Sequence, residues 1–145
     1  MVQFITYPEN ASHAVLAPEI SVLVPVMNEA GNVKPLIEEI CDTFQGRPFE
    51  IIYIDDGSTD ETEAELQKCV SEIKELRVLR HKKRSGQSVA IRTGLLASRA
   101  PLIAVLDGDG QNIPADLPAL EKALLAARPN RGRQGACDRE EKTQQ

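Results

Sequence analysis

The chain has 145 residues, of which 41% are hydrophobic and 27% charged, a composition that is ordinary for one globular domain with a core. The formal net charge of −5 and the scarcity of aromatic residues argue against non-specific nucleic-acid binding and against stacking on single-stranded bases. No apolar run approaches the length of a membrane span, and the N-terminal segment lacks the pattern of a signal peptide.

The cysteines and histidines do not indicate a disulfide framework or a zinc site. Cys41 and Cys69 each fall on the apolar side of a predicted helix, and neither they nor Cys137 form a CxxC pair. We interpret them as small core residues in a reducing compartment, and expect a cytoplasmic protein. His13 and His81 have no zinc-like partners at useful spacing, so both are predicted to lie on the surface.

From about Ile20 the sequence predicts strands alternating with helices. The strands are expected near Ile20–Val26, Ile51–Ile54, Leu76–Arg80 and Leu102–Leu106. These runs are apolar without alternation, which is typical of strands buried on both faces of a parallel sheet. The order predicts right-handed crossovers and an α/β fold, a Rossmann-like parallel sheet with helices on both faces.

Four helices follow from the apolar spacing. The first is predicted at Asn32–Phe44, and the second begins with a capping box formed by Ser58 and Glu61. The third is predicted to start at Ser85 and the fourth to have Asp116 as its N-cap. Their apolar positions are Val89, Ile91, Leu95 and Leu96 in the third helix, and Leu120, Leu124 and Leu125 in the fourth.

The composition divides the chain into three parts. Residues 1–19 are predicted to be an irregular leader, and residues 20–127 the folded domain. Residues 128–145 contain no Val, Ile, Leu, Met or aromatic residue, so they cannot bury enough surface to offset their ordering entropy. We therefore expect a polar, disordered tail.

Acidic clusters follow two of the apolar runs. Asp55-Asp56-Gly57-Ser58 comes after one, and Asp107-Gly108-Asp109-Gly110-Gln111 after another. In open α/β sheets, ligands bind at the carboxyl ends of the strands. Carboxylates repel nucleotide phosphates, so this pairing requires a divalent cation between them, or ligand donors such as hydroxyls and base N–H groups. The pattern indicates a metal-assisted nucleotide site.

The second cluster has the spacing of a metal loop. Alternate residues of an extended stretch point the same way, so Asp107, Asp109 and Gln111 could converge on one hard cation. An EF-hand is excluded because Asn112 occupies its glycine position and Pro118 its bidentate glutamate position. Mg²⁺ or Mn²⁺ bridging substrate phosphates fits better.

Two further segments are ambiguous when taken alone. Pro25 to Asn32 is typical of a turn and helix start, but its backbone groups could also meet a base and Glu29 a hydroxyl; the turn is favoured. In the basic run before Ser85, Lys82 and Lys83 are assigned to the surface, while Arg84 fits a solvated face and an anion site equally. The chain has no GxGxxG after the first strand and no P-loop.

Together these segments resemble the family 2 glycosyltransferases of the GT-A fold, and most of all the branch with polyprenyl- or dolichyl-phosphate acceptors. The resemblance runs from Ile20 to about Ala127. Its motifs are Val24-Pro25-Val26-Met27-Asn28-Glu29, Asp55 to Asp60, Arg84-Ser85-Gly86-Gln87 with Ala90 and Gly94, and Leu106 to Asn112.

The resemblance implies inverting transfer from a UDP- or GDP-sugar to a polyprenyl phosphate, aided by Mg²⁺ or Mn²⁺. Its implied catalytic residues are Asp107 and Asp109, and its metal ligands are Asp107, Asp109 and Gln111. Its implied donor-binding residues are Pro25, Asn28, Glu29, Asp56, Arg84 and Asp107, with Pro25 and Glu29 bordering the base and ribose and Asp56 meeting the base.

Family members continue into an acceptor-binding half, so this chain is expected to contain the nucleotide-sugar-binding half. The resemblance also implies a role in cell wall or envelope biogenesis and peripheral association with the inner face of the membrane. An unpaired sheet edge predicts self-association.

Two alternatives remain. A non-catalytic nucleotide-binding remnant is consistent with the short chain. A receiver-like, Mg²⁺-binding signalling domain would need an acid pair after the first strand and an acceptor Asp after the third. The chain has Asn28-Glu29 and Arg80-His81-Lys82 there, so this alternative is disfavoured.

Overall fold

The computed structural model describes residues 2–4 and 16–127 of the chain. The strands are β1 (Val2–Phe4), β2 (Ile20–Val26), β3 (Phe49–Asp55), β4 (Leu76–His81) and β5 (Leu102–Val105). The helices are α1 (Val33–Thr43), α2 (Thr62–Glu72), α3 (Gln87–Ala97) and α4 (Leu117–Ala127), the last preceded by a short 3₁₀ turn at Pro114–Asp116. Cys137 and His13 lie outside the described residues.

The described strands form one sheet in the order β1-β4-β3-β2-β5. Strands β2 to β5 are parallel to their neighbours, and β1 joins the outer edge of β4 in the antiparallel sense. The predicted α/β fold with a parallel sheet is confirmed. In the β2–β3 pair Val26 lies opposite Asp55, so these two strands end together and the loops that follow them emerge at the same edge.

The apolar strand runs are buried on both faces, as their lack of alternation predicts. Val22, Leu23 and Val24 of β2 are all fully buried. Val22 and Val24 belong to the core cluster shared with α1 and α2, whereas Leu23 packs with Ala90 of α3 on the opposite face. Helices therefore cover both faces of the sheet.

The structure corrects several local predictions. The irregular description of residues 1–19 is wrong for β1, which was missed because a three-residue edge strand has too few positions to show a pattern. The capping box is also wrong: α2 begins at Thr62 without a side-chain cap from its N-cap residue Glu61, and the hydroxyl of Ser58 accepts a hydrogen bond from Asn28 N instead.

The apolar faces of α3 and α4 differ from the predicted ones. Helix α3 buries only Ala90 and Gly94, small residues that allow it to lie close to the sheet, and α4 buries only Leu117. Several large apolar residues of these helices are exposed instead: Val89, Leu95 and Leu96 of α3, and Leu120, Leu124 and Leu125 of α4. Within the described part of the chain, no helix has the length and apolarity needed to cross a membrane.

Candidate functional site

A cleft of about 250 Å³ lies at the carboxyl edge of the parallel strands. This volume is slightly below the ~300–1,000 Å³ of most small-molecule sites. The cleft is bordered by the loops that follow β2, β3, β4 and β5. Its lining includes these residues predicted from the sequence: Pro25, Glu29, Asp56, Arg84, Asp107 and Asp109. Residues far apart in the chain thus meet at the edge where an α/β fold binds ligands.

Asp56 is the most buried acid of the cleft, with 4% of its surface exposed. Its Oδ1 lies 2.7 Å from His81 Nδ1 and accepts a hydrogen bond from Ser85 N at 2.8 Å, while Oδ2 accepts one from Gly86 N at 2.8 Å. Burial raises the pKa of this carboxyl, but the hydrogen bonds from His81, Ser85 and Gly86 outweigh burial, and the net pKa is lowered. A carboxylate has about four acceptor positions, so one on Oδ2 remains for a ligand.

Asp55, although adjacent to Asp56, is not among the cleft-lining residues. Its Oδ1 accepts a hydrogen bond from Ser58 N at 2.9 Å, and its Oδ2 lies 3.4 Å from Arg80 Nη1. Successive side chains of a strand point to opposite faces, and this separates the two acids. Of the acid pair, only Asp56 faces the cleft, and Asp55 stabilises the turn that follows β3.

Gly57 allows the loop after β3 to pass directly beneath the loop that carries Arg84. It has a φ of +79°, and a Cβ at this position would lie 2.9 Å from Arg84 N. A side chain would be strained in this backbone conformation and would also collide with the main chain. The glycine therefore allows the loop of Asp56 and the loop of Arg84 to lie close together. The side chain of Arg84 is exposed and lines the cleft.

Four consecutive backbone N–H groups of the loop after β2 are bound by side chains from the segment before α2 and from the first turn of α2. Each of the following donates to one side chain: Asn28 N to Ser58 Oγ, Glu29 N to Thr62 Oγ1, Ala30 N to Asp60 Oδ2, and Gly31 N to the carboxylate of Glu65. These contacts explain the Ser, Thr and Asp residues that follow Asp55-Asp56. They fix the backbone on which Glu29 enters the cleft.

The structure does not bring Asn28 or Gln111 into the cleft lining. Asn28 has a φ of 54°, and its Oδ1 accepts a hydrogen bond from Thr59 N at 2.8 Å. Gln111 is exposed, and its backbone N donates to Asp109 Oδ1 at 3.0 Å. Asn28 and Gln111 therefore lie next to the cleft in the chain without lining it, whereas Glu29 and Asp109 do line it.

Asp107 and Asp109 are the acids of the second cluster, and both line the cleft. Gln87 Nε2 donates to Asp107 Oδ1 at 3.2 Å, and Asn112 Nδ2 donates to Oδ2 at 3.3 Å. Between the acids, a Cβ on Gly108 would lie 2.2 Å from Val26 Cγ1. The glycine is thus needed for the loop to pack against the end of β2.

A divalent cation fits these two carboxylates. Among residues 2–4 and 16–127 there is no group of three or more His, Cys, Asp or Glu side chains that could hold a metal alone. Mg²⁺, however, is usually held by one or two carboxylates together with waters and substrate phosphates. Asp107 and Asp109 provide such a partial ligand set, whereas the exposed side chain of Gln111 is not part of the cleft lining.

The sequence interpretation missed the buried position of His81 and gave no role to Gln87, although Gln87 belongs to one of the quoted motifs and lines the cleft. His81 is only 4% exposed, so its assignment to the surface is wrong. The signal was the alternation of β4: His81 lies two residues after Leu79, which packs into the core beside α3, and the two therefore share a face. Gln87, the first residue of α3, joins that helix to Asp107.

Comparison with solved structures identifies the fold class. The structure aligns with the mannosyltransferase PcManGT from Pyrobaculum calidifontis, solved with GDP-Man and Mn²⁺, at a TM-score of 0.66 and 24% identity over 79% of this chain and 34% of that chain. It also aligns with TarS of S. aureus, solved with UDP-GlcNAc, at a TM-score of 0.61 and 23% identity over 74% of this chain and 31% of that chain. The fold is that of the GT-A structures over part of their length.

Sequence comparison then identifies the family. The model described as glycosyl transferase family 2 matches residues 21–139, so the chain belongs to this family of glycosyltransferases. It is 38% identical over 109 residues to the dodecaprenyl-phosphate galacturonate synthase of Rhizobium johnstonii, a match covering 73% of this chain and 32% of the relative. It is 32% identical over 106 residues to the dolichol-phosphate mannosyltransferase of Pyrococcus furiosus, covering 73% of this chain and 30% of the relative.

The chain therefore spans about a third of the length of these relatives. The resemblance to polyprenyl- and dolichyl-phosphate glycosyltransferases, and to the N-terminal part of the fold, is confirmed.

Proposed function

We propose that this chain forms the donor-binding part of a glycosyltransferase that uses a nucleoside-diphosphate sugar and a divalent cation. The observation that carries this proposal is the convergence of Pro25, Glu29, Asp56, Asp107 and Asp109 on one cleft at the carboxyl edge of the sheet. The solved structures with GDP-Man and with UDP-GlcNAc support a nucleotide-sugar ligand.

In the proposed complex each part of the donor meets a different loop. Pro25 and Glu29 border the base and ribose, and the open acceptor position of Asp56 receives a base N–H group. Arg84 provides positive charge near the diphosphate. Asn28 contributes by holding the loop that carries Glu29, through its contact with Thr59.

Asp107 and Asp109 are the proposed catalytic residues, because they are the cleft carboxylates that fit a cation, with Gln111 as a third ligand after turning inward. Bound Mg²⁺ or Mn²⁺ would act as a Lewis acid that stabilises the departing nucleoside diphosphate. Before binding, Gln87 and Asn112 hold the carboxylate of Asp107 in place through their amide groups.

The proposed reaction is sugar transfer to a polyprenyl phosphate with inversion. An acceptor phosphate oxygen forms a bond to the anomeric carbon while the bond from that carbon to the diphosphate breaks. The named acceptors of the two relatives support this substrate class. Such an acceptor would bring the protein to the cytoplasmic face of a membrane as a peripheral partner, in envelope biogenesis.

Calorimetric titration with UDP and GDP tests the proposed site. We expect binding in Mn²⁺ that is strongly weakened in EDTA, because the cation neutralises repulsion between the carboxylates and the diphosphate. Asp109→Asn should reduce the dependence on Mn²⁺, and Asp116→Asn, which changes an exposed acid outside the cleft lining, is the matched control. Equal affinity in Mn²⁺ and EDTA would contradict a bridging cation.

Transfer by these 145 residues alone is expected to be slow, because it requires the acceptor phosphate to be held in line with the anomeric carbon. Incubation with radiolabelled UDP- and GDP-sugars, Mn²⁺ and a polyprenyl phosphate, followed by organic extraction, tests this. Labelled lipid formed at about 1 per second, a rate typical of enzymes, would contradict it. Binding without any transfer would match the nucleotide-binding remnant.

The outer edge of β5 has no strand partner among the described residues, and Val105 on this strand is exposed. Such edges recruit other chains. We propose that the chain self-associates through this edge, and expect light scattering to show a mass that increases with concentration. A clean monomer across a wide range of concentrations would contradict this.

A further inference from the structure

His81 has no role in the proposed function, although it contacts Asp56. It is the last residue of β4, it is buried, and both of its ring nitrogens have side-chain partners. Nδ1 lies 2.7 Å from Asp56 Oδ1, and Nε2 lies 2.8 Å from Thr93 Oγ1 on α3. The imidazole thus bridges the acid of the cleft and a helix on one face of the sheet.

The neighbours of the ring determine where its hydrogen lies. The carboxylate of Asp56 accepts hydrogen bonds from Ser85 N and Gly86 N and therefore acts as an acceptor. The contact at 2.7 Å then requires His81 Nδ1 to carry the hydrogen and donate it.

Thr93 holds the other side of the ring. Its hydroxyl can donate or accept, and it also lies 3.0 Å from the Val89 carbonyl oxygen. It therefore accommodates Nε2 with or without a hydrogen, and the ring keeps its orientation in either charge state. Nδ1–H is directed at Asp56 in both.

We propose that His81 is a positioning residue for nucleotide binding, which holds the carboxylate of Asp56 so that the free acceptor position of Oδ2 faces the cleft. The same contact secures the Ser85–Gly86 turn, because its N–H groups bind the same carboxylate. This role rests on the proposed function, in which Asp56 meets the base. Without His81, the carboxylate would be held only by the two backbone N–H groups, and could rotate away from the ligand.

A spectroscopic test needs no ligand. Long-range ¹H–¹⁵N correlation spectra of the side chains report the hydrogen on each ring nitrogen, and the chain has only two histidines to distinguish. His81→Asn, or His13→Gln if that variant does not fold, assigns the signals. We expect a hydrogen on Nδ1 of His81 in the free protein. A ring with its hydrogen on Nε2 alone would overturn the proposal.

Two substitutions of His81 separate positioning from packing. Asn places its amide near the position of Nδ1, so His81→Asn keeps a donor for Asp56. Gln places its amide near the position of Nε2, so His81→Gln keeps the contact with Thr93 and loses the donor. We expect calorimetry with UDP or GDP in Mg²⁺ to give His81→Gln an affinity about tenfold lower, the loss expected from one charge-assisted contact. His81→Asn should stay within about threefold of the unsubstituted protein.

The outcomes distinguish the role of His81 from the nucleotide site itself. Unsubstituted protein that binds neither nucleotide would overturn the proposed function. Binding that is unchanged in His81→Gln, or equally reduced in both variants in proportion to their thermal stability, would overturn only the positioning role. Thr93→Val, which removes the hydroxyl but keeps the size, should weaken binding less than His81→Gln, because Nδ1 still faces Asp56.

Discussion

Strand β3 has a buried carboxylate near each end, Glu50 and Asp56. The two differ in how many of their hydrogen-bond acceptor positions are occupied. Glu50 near its start is 1% exposed and Asp56 just after its end is 4% exposed. Glu50 Oε1 accepts hydrogen bonds from Ser21 Oγ and Arg99 N, while Oε2 accepts from Arg77 Nη1 and Arg99 Nε. All four of its acceptor positions are occupied, whereas Asp56, which lines the cleft, keeps one position unfilled.

Burial and pKa do not separate these two acids. In both, burial raises the pKa, and hydrogen bonds outweigh burial so that the net pKa is lowered. What distinguishes them is the unfilled acceptor position beside a cleft. A buried, perturbed acid is therefore a candidate for ligand binding only when its hydrogen bonds are incomplete within the protein. On this argument Glu50 holds the fold, and Asp56 is the proposed ligand-binding acid.

Removing the charge of Glu50 should have the largest effect on stability. Glu50→Gln leaves Arg77 and Arg99 without their shared counter-ion, and breaking a buried ion pair costs ~3–5 kcal/mol. Because these side chains are 34% and 58% exposed, they can still reach water, so we expect a loss of about 3 kcal/mol, the lower end of that range. Urea denaturation measures this loss, and nucleotide affinity under folding conditions should be unchanged. A tenfold loss of affinity in Glu50→Gln would contradict the structural role.

The matching substitution at the other end, Asp56→Asn, should instead act mainly on binding. It exchanges a charged acceptor for a neutral amide, and hydrogen bonds to charged groups contribute ~1.5–3 kcal/mol, so affinity for UDP or GDP should fall at least tenfold. The loss of stability should be smaller than in Glu50→Gln, because His81 keeps its hydrogen bond with Thr93. Calorimetry and urea denaturation of the same samples test both parts. Unchanged affinity would show that Asp56, like Glu50, has a structural role and does not bind the nucleotide.

Acid should weaken the fold through both carboxylates. Since their pKa values are lower in the folded than in the unfolded state, each stabilises the protein above its unfolded pKa, and this contribution is lost as the pH falls through the folded pKa. We expect the free energy of unfolding to decrease as the pH falls below about 4.5, near the reference pKa of a carboxyl group. In Glu50→Gln the decrease should be smaller, because the lowered pKa of Glu50 no longer contributes to it. A pH dependence that is identical in the variant would contradict the lowered pKa of Glu50.

The sequence predicted the ends of the strands better than the faces of the helices. Ile51–Ile54 followed by Asp55-Asp56 located the carboxyl edge, because short continuous apolar runs are typical of buried parallel strands. The packing of α3 was not predictable in the same way. Its contact with the sheet depends on Ala90 and Gly94, and apolar spacing gives the greatest weight to large residues such as Leu96, which the structure exposes.

The lining of the candidate cleft was predictable where it depended on charge and less so where it depended on hydrogen bonding across the chain. Asp56, Asp107 and Asp109 could be selected because these two loops carry more acids than a turn or a helix cap requires. The alternation of β4 could indicate that His81 is buried, but it could not indicate its contacts. Its partners Asp56 and Thr93 lie 25 and 12 residues away in the chain and meet it only after folding.

The most direct test of the account is to locate the nucleotide by NMR. Titration of ¹⁵N-labelled protein with UDP and GDP in Mg²⁺ should perturb the backbone amides at the carboxyl edge, above all those of Glu29, Gly86 and Asp109. The resonances of the amides near Glu50, at the other end of β3, should not shift; Arg99 and Ala100 are examples. Perturbations centred on the amides near Glu50, or none at saturating nucleotide with Mg²⁺, would contradict the assignment of the carboxyl edge of the sheet as the donor site.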